Sequence, residues 1–322
     1  MSVLIYAESA EGKFKKVALE LASYAKKVAE SLGTTVTAVT INIGDVSELG
    51  SYGVDKVLKV TNDKLNVFNA KAYADVVKQA AKKEGSKVVI LSSTTDSLYM
   101  APIVAVGLDA GFASNVVALP ESTSPFVVRR NAFSNKAFNN TELTSDVKVI
   151  AVAKNSFGLV ETSGTATVED FAPTLNDADF SLKVENVEKV SGKVTIADAD
   201  IVVSGGRGMK GPENWGMLEE LADVLGAALA CSKPVSDLGW RSHEEHVGQT
   251  GKPVSSNLYI AVGISGAIQH IAGVNASKVK VAINTDPEAP FFKVADYGIV
   301  GDAFTVLPQL VAKLKEFKAK NA

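Results

Sequence analysis

A single cysteine, Cys231, stands in the 322 residues. That excludes an intramolecular disulfide and cysteine-rich metal sites, and it fits a reducing compartment. Histidine is almost as scarce, with three residues. Charge of one sign is missing too: 33 basic against 36 acidic side chains leave a net −3. A dedicated nucleic-acid binder would carry a basic footprint, so that class is set aside. No apolar run reaches the ~18 residues of a membrane span, so the chain is not expected to be membrane-embedded. The first residues, Val3 to Ala7, already read as a strand and leave no room for a signal or transit peptide. What the chain does have is apolar surface, at 46% hydrophobic and 21% charged residues. That is enough to offset chain entropy, and the length calls for two domains rather than one.

The first half alternates strands with amphipathic helices. Lys13 to Leu32 places Phe14, Val17, Leu21, Tyr24, Val28 and Leu32 at helical spacing, and Gly33 stops it. Strands are expected at Val36–Ile41, Lys56–Val60 and Val88–Leu91, with helices over Tyr73–Lys83 and Met100–Leu108. This rhythm predicts a parallel sheet covered on both faces. From Ala113 to about Val187 the helical spacing disappears, and segments such as Phe126–Arg129 and Val147–Val152 predict extra strands, antiparallel ones among them. Polar residues Glu188 to Asp198 mark the boundary between domains 1–190 and 191–322. The second half restarts the α/β rhythm, with strands at Ile201–Val203, Ala227–Ala230, Leu258–Val262 and Val279–Ile283. Its helices fall at Glu213–Leu225 and Thr305–Lys318. The fold class is α/β with two domains, the C-terminal one a Rossmann-like parallel sheet.

Three segments could carry chemistry. Ser204 to Gly211 contains G-x-G-x-x-G at Gly206, Gly208 and Gly211, between a strand and a helix. Such glycines admit a pyrophosphate to the backbone. The acidic residue that a nicotinamide dinucleotide wants at the end of the next strand is absent, since Cys231-Ser232-Lys233 stands there. Gly263-Ile264-Ser265-Gly266-Ala267-Ile268-Gln269-His270 is a second strand-to-helix turn of small residues, and Val247-Gly248-Gln249-Thr250-Gly251 is a polar glycine loop. Asn284 and Asp286 lie just past another strand. One large phosphate-bearing ligand across several strand ends explains more than separate turns would. His243 and His246 form H-x-x-H in a loop, without the helical H-E-x-x-H order of a zinc site, and a structural role is expected. Cys231 reads as a small buried hydrophobe. Gly263-Ile264-Ser265-Gly266 misses the nucleophile-elbow spacing by one residue.

In this order the segments 204–208, 247–252, 258–270, 282–284, 287–290 and 296–300 resemble the α subunit of an electron-transfer flavoprotein. The likeness is dense from Ile201 to about Leu310 and looser before. It implies an αβ heterodimer with FAD in the C-terminal domain. The N-terminal domain would have a nucleotide-binding-like fold, serve the subunit interface and hold no nucleotide of its own. The cofactor contacts it implies are Arg207, Ser232, Lys233, Val247, Gly248, Gln249, Thr250, Ser265, Gly266, Ala267, Ile268, Gln269, His270, Asn284 and Asp302, with no metal and no catalytic residue. Ser265 and the amides of Gly266 and Ala267 would hold the pyrophosphate, with Asn284 adding a phosphate contact and Asp302 accepting from a ribose hydroxyl. Gln249 and Thr250 would approach flavin N5 and O4, His270 the O2 side, and Arg207 would add positive charge. Lys233 stands where the family usually has arginine. An ammonium is a point charge that cannot stack on the ring, so the one-electron-reduced flavin should persist less. The expected partners are the β subunit, flavin dehydrogenases such as those for acyl-CoA in fatty acid β-oxidation, and a quinone reductase or other acceptor. A bifurcating flavoprotein that oxidises NADH with a second FAD in the β subunit is the alternative. An NAD-dependent oxidoreductase and a non-catalytic nucleotide-binding module are the rivals from other classes. The expected location is the bacterial cytoplasm, or the mitochondrial matrix only if a transit peptide has been removed.

Overall fold

The computed structural model describes residues 2–133, 135–182, 184–186, 195–196 and 199–321. The polar stretch Glu188–Asp198 lies largely outside them. Apart from residues 134–136, the chain divides between residues 187 and 188 into two compact units.

The first unit is built on β1 (Ser2–Tyr6), α1 (Lys16–Leu32), β2 (Thr35–Ile41), β3 (Lys56–Val60), α2 (Ala70–Glu84), β4 (Val88–Ser92) and α3 (Thr95–Gly107). There follow β5 (Ala110–Val116), β6 (Phe126–Ala132), β7 (Ala137–Leu143), β8 (Val147–Val152) and β9 (Thr167–Asp170). Together these strands run β7-β6-β5-β8-β4-β1-β2-β3-β9. Every residue of β1 is buried, because successive side chains leave by opposite faces and both faces are covered. Val3 and Ile5 pack with Leu21, Tyr24 and Val28 of α1; Leu4 and Tyr6 pack with Val76, Met100 and Val104 of α2 and α3. Helix α1 begins three residues later than its spacing predicts, because Lys13–Phe14 pairs with Ser9–Ala10 as a two-stranded ribbon. α3 begins earlier than its apolar residues suggest, since the Thr94 hydroxyl accepts from the Ser97 amide and caps it. The antiparallel strands expected past Ala113 are β6 and β7. Val147–Val152 instead lies between β4 and β5, parallel to both.

The second unit is a six-stranded sheet of β10 (Ile201–Gly205), β11 (Ala228–Ser232), β12 (His246–Val247), β13 (Leu258–Val262), β14 (Val279–Asn284) and β15 (Tyr297–Val300). Its order is β12-β11-β10-β13-β14-β15, and every pairing is parallel. Helices α4 (Gly216–Leu225), α5 (Lys233–Asp237), α6 (Ile268–Val274) and α7 (Ala303–Asn321) connect or follow the strands. α4 and α7 cover one face through Leu218, Leu221, Leu307 and Val311, with Trp215 buried among them. Val274 of α6 and Phe291 cover the other with Tyr259. This is the doubly wound order in which the chain reverses direction between its first and fourth strands. α4 starts at Gly216 rather than Glu213 because Pro212–Asn214 forms a separate 3-10 turn.

Candidate functional site

In a parallel sheet of this order, ligands bind outside the carboxyl ends of the strands at the point of reversal, here between β10 and β13. Every residue expected at the cofactor lies at that edge, whereas His243 and His246 lie before or at the start of β12. Read across the sheet, Val247 ends β12 and Gly248 to Thr250 follow it, Ser232 ends β11 and Lys233 follows it, and Arg207 follows β10. Ser265 to His270 follow β13, Asn284 ends β14 and Asp302 follows β15. At the usual strand spacing the six ends span about 24 Å.

The three glycine segments turn out to hold one another. The Gly206 amide donates to the Val262 carbonyl at 2.8 Å, and the Gly208 amide to the Gly263 carbonyl at 3.0 Å. A Cβ on Gly206 would lie 2.1 Å from the Gly263 oxygen, and one on Gly208 2.6 Å from Gly263 Cα. The G-x-G here therefore serves a loop-to-loop approach as its first duty, and two 3-10 turns separate it from α4. The third segment is held from α6: the Gln249 amide donates to the Gln269 carbonyl at 2.8 Å. A Cβ on Gly273 would come within 2.6 Å of Gly248 Cα.

The open donors are in the β13 turn. Gly263 and Gly266 take φ of +61° and +91°, and this bend leaves Ser265, Ala267, Ile268 and Gln269 exposed. Among the described residues no acceptor takes the amides of Ser265, Gly266, Ala267 or Ile268. The Ser265 carbonyl is fixed from behind by the Phe291 amide at 3.0 Å. Asn284 braces the same turn: Nδ2 donates to the Ile264 carbonyl at 3.0 Å, while Oδ1 accepts from the Asp286 amide at 3.1 Å. One amide proton of Asn284 remains for a ligand. Asp302 caps α7 by accepting from the Phe304 amide at 3.0 Å, and it pairs with Lys210 at 3.5 Å. Lys210 also sits 4.5 Å from the Phe304 ring centre. Neither its role nor that of Phe291 was visible in the motif.

Burial sets the titration of the groups behind the edge. His270, the third residue of α6, is 6% exposed; desolvation, helped by nearby His246, pushes its pKa down to about 4. Its Nε2 lies 2.9 Å from the Tyr259 hydroxyl, and its Nδ1 is buried with no partner. His246 is buried as well and its pKa is lowered, chiefly by desolvation. His243 Nδ1 pairs with Ser236 Oγ at 2.9 Å. Among the described residues no three histidine, cysteine or carboxylate side chains converge as a metal group would require. Cys231 is fully buried, and desolvation raises its thiol to about 12, so it is a packing residue and not a nucleophile. Arg207, Lys233, Gln249 and Thr250 are exposed, while Ser232, Val247 and Gly248 are buried. The edge thus offers outward amides at its centre, basic side chains beside them and neutral donors at one end. It suits an extended ligand with an anionic middle.

Known proteins agree in sequence over nearly the whole chain. Residues 3–176 match the family model described as the electron transfer flavoprotein domain. Residues 195–275 match the one described as the electron transfer flavoprotein FAD-binding domain. The chain is 38% identical over 316 residues to the electron transfer flavoprotein subunit alpha of Syntrophomonas wolfei subsp. wolfei, covering 97% of this chain and 98% of that one. It is 35% identical over 317 residues to the subunit of the same name from Bacillus subtilis, covering 98% and 97%. Against a probable mitochondrial alpha subunit from Caenorhabditis elegans it is 34% identical over 315 residues, covering 97% and 93%.

Proposed function

The chain belongs to the electron transfer flavoprotein family, among its alpha subunits, and from that premise we propose that it holds one FAD along the C-terminal sheet edge and serves as an electron carrier without a substrate of its own. The observation that carries this reading is the order of the strand ends. The residues expected at the flavin (Gln249, Thr250), the pyrophosphate (Ser265 to Ala267, with Asn284) and the ribose (Asp302) follow one another across the sheet without a crossing. Two features fit the cofactor independently of the family: the unpaired Nδ1 of buried His270, and the close glycine approaches that leave the β13 amides facing out.

Bound FAD supplies the redox chemistry, taking electrons from one partner and giving them to another. The chain's residues bind, orient and bias it. Ser265 and the amides of Gly266, Ala267 and Ile268 donate to the pyrophosphate, with the spare proton of Asn284 beside them. Asp302 accepts from a ribose hydroxyl with the carboxylate capacity that Lys210 and Phe304 leave. Val247 and Gly248 form the floor beneath Gln249 and Thr250, and Gln269 lines the junction of the two loops. Ser232 at the end of β11, with Lys233 and Arg207, brings a hydroxyl and two cations that favour electron-rich flavin. His270 adds a neutral donor.

The partners follow from the family reading. A β subunit completes a heterodimer, with the N-terminal unit at the interface and without a nucleotide. Flavin dehydrogenases, such as those of fatty acid β-oxidation, deliver electrons, and a quinone reductase or similar acceptor removes them. No helix among the described residues is long and apolar enough to cross a membrane, which accords with a carrier that visits its partners. The test is to purify the chain with its β subunit and quantify the flavin released on denaturation. One FAD per heterodimer supports the simple carrier. Two would move the reading to the bifurcating, NADH-oxidising class, and none would overturn the FAD assignment.

A further inference from the structure

Behind the ligand edge lies a three-ring cluster that the glycine loops do not account for. Tyr259, in the middle of β13, is fully buried. Its ring is 6.2 Å from Phe291 and nearly parallel to it, and His270 lies 6.1 Å from Tyr259 and 6.0 Å from Phe291. The one polar link in the cluster is the 2.9 Å contact between the Tyr259 hydroxyl and His270 Nε2. It can be made in two ways, with the phenol giving its proton or taking one from the ring.

The surroundings choose between them. Burial holds the phenol protonated and the imidazole neutral, so each has one proton to place. Ser204 and Cys231 are the other side chains that act on the phenol, and Cys231 favours its protonated form. The Ser204 O–H favours the ionised phenol, as a donor does, yet it reaches hydrogen-bonding geometry with no described residue. Among the described residues, the acceptor in hydrogen-bonding geometry for the phenol proton is therefore His270 Nε2. Were the ring proton on Nε2 instead, the phenol proton would be buried with no partner in hydrogen-bonding geometry among the described residues, which is unfavourable. The Val247 carbonyl acts on the ring and favours a protonated nitrogen without reaching hydrogen-bonding geometry at Nδ1, and His246, itself pushed toward neutrality, opposes a second proton.

We propose that Tyr259 locks His270 in the Nδ1–H tautomer, so that its one unpaired nitrogen is presented as a hydrogen-bond donor. The identity of the acceptor rests on the FAD reading above; the tautomer does not. Tyr259 does not touch the ligand. It is a positioning residue, and it acts through the proton it gives to Nε2. A histidine free to choose favours the proton on Nε2, which would leave a lone pair facing a flavin carbonyl that gains negative charge on reduction.

The experiment uses the full chain in its heterodimer, with histidine labelled in 15N, and His270 assigned by its loss in His270→Asn. With the β subunit left unlabelled, only this chain's three histidines contribute, so the ring signals separate readily. The expected spectrum has Nδ1 protonated and Nε2 as a hydrogen-bonded acceptor. Tyr259→Phe keeps the stack on Phe291 but removes the phenol proton. The proton should move to Nε2, and the preference for reduced over oxidised FAD should fall about tenfold, read as a more negative potential. A wild-type ring protonated at Nε2, or a tautomer unchanged by Tyr259→Phe, overturns the proposal. Should Tyr259→Phe fail to fold, the wild-type spectrum decides alone. A chain without flavin that still shows Nδ1–H would sink the FAD reading and support this one.

Discussion

The two units use the same order of strands at their point of reversal and finish it in opposite ways. In the N-terminal unit β1 lies between β2 and β4, as β10 lies between β11 and β13 in the C-terminal unit. Past β10 and β13 the chain places Gly206, Gly208 and an open turn of unpaired amides. Past β1 and β4 it places Glu8 and the hydroxyls that enclose it. Glu8, 4% exposed, accepts from Thr94 Oγ1 at 2.5 Å and Ser97 Oγ at 2.8 Å, and from Ser92 Oγ. Lys15 Nζ lies 3.1 Å from its other oxygen. The start of α3, which could receive a ligand's negative charge, instead has the chain's own carboxylate beside it. One edge is satisfied internally and the other keeps its turn amides without acceptors among the described residues, so a shared strand order at the reversal does not imply a shared function.

The comparison breaks most sharply at the glycines. In Gly206→Val the new side chain would start 2.1 Å from the Gly263 oxygen. Retained flavin should fall by more than about a hundredfold, while hydrogen exchange in the N-terminal unit stays unchanged. A variant that keeps its flavin would show the loop contact to be dispensable. Next comes Glu8→Ala, which leaves three hydroxyls and Lys15 around an empty space. Chemical denaturation should register a loss of about 4 kcal/mol with FAD stoichiometry intact. A change below about 1 kcal/mol would mean that the carboxylate is not what closes that edge.

Acid should separate the units as well. His270 has a pKa of about 4 when folded, against an ordinary value of 6.5. Its unfolded form therefore takes up the proton first as pH falls. Stability is full above about pH 6.5 and declines by about 3 kcal/mol on the way to pH 4. All three histidines lie beyond residue 242, so this loss belongs to the C-terminal unit, and His270→Asn should flatten it in pH-dependent unfolding. The smallest effect sharpens the cation's role. Lys233→Arg should raise the yield of one-electron-reduced flavin in a stepwise reductive titration, because a planar guanidinium can stack where an ammonium cannot. Equal yields in the two proteins would end that argument.

Much of this was legible before the fold. The apolar runs at Val3–Ala7, Val36–Ile41 and Leu258–Val262 marked buried parallel strands, and the segments around Gly206, Gly248 and Ser265 were each visible as glycine turns. Val147–Val152 shows the limit. Its composition revealed a buried strand but not its neighbours, and it proved to be parallel in the middle of a sheet. Glu8 looked like any polar residue after a strand, and Tyr259 like any strand aromatic, because the hydroxyls around Glu8 are 84 to 89 residues away and the partner of Tyr259 is 11 away.

By itself, then, the sequence determined the α/β class, the strand-end position of the candidate site and the small residues that let one backbone approach another. Periodicity and residue size are local properties, written every few positions. Only the tertiary structure decided that the glycine loops hold each other, that Asn284 and Asp302 brace the site as well as face it, and that His270 keeps one nitrogen free. Those outcomes depend on which groups are brought within 3 Å after burial. Burial is also what makes a missing partner costly enough to matter.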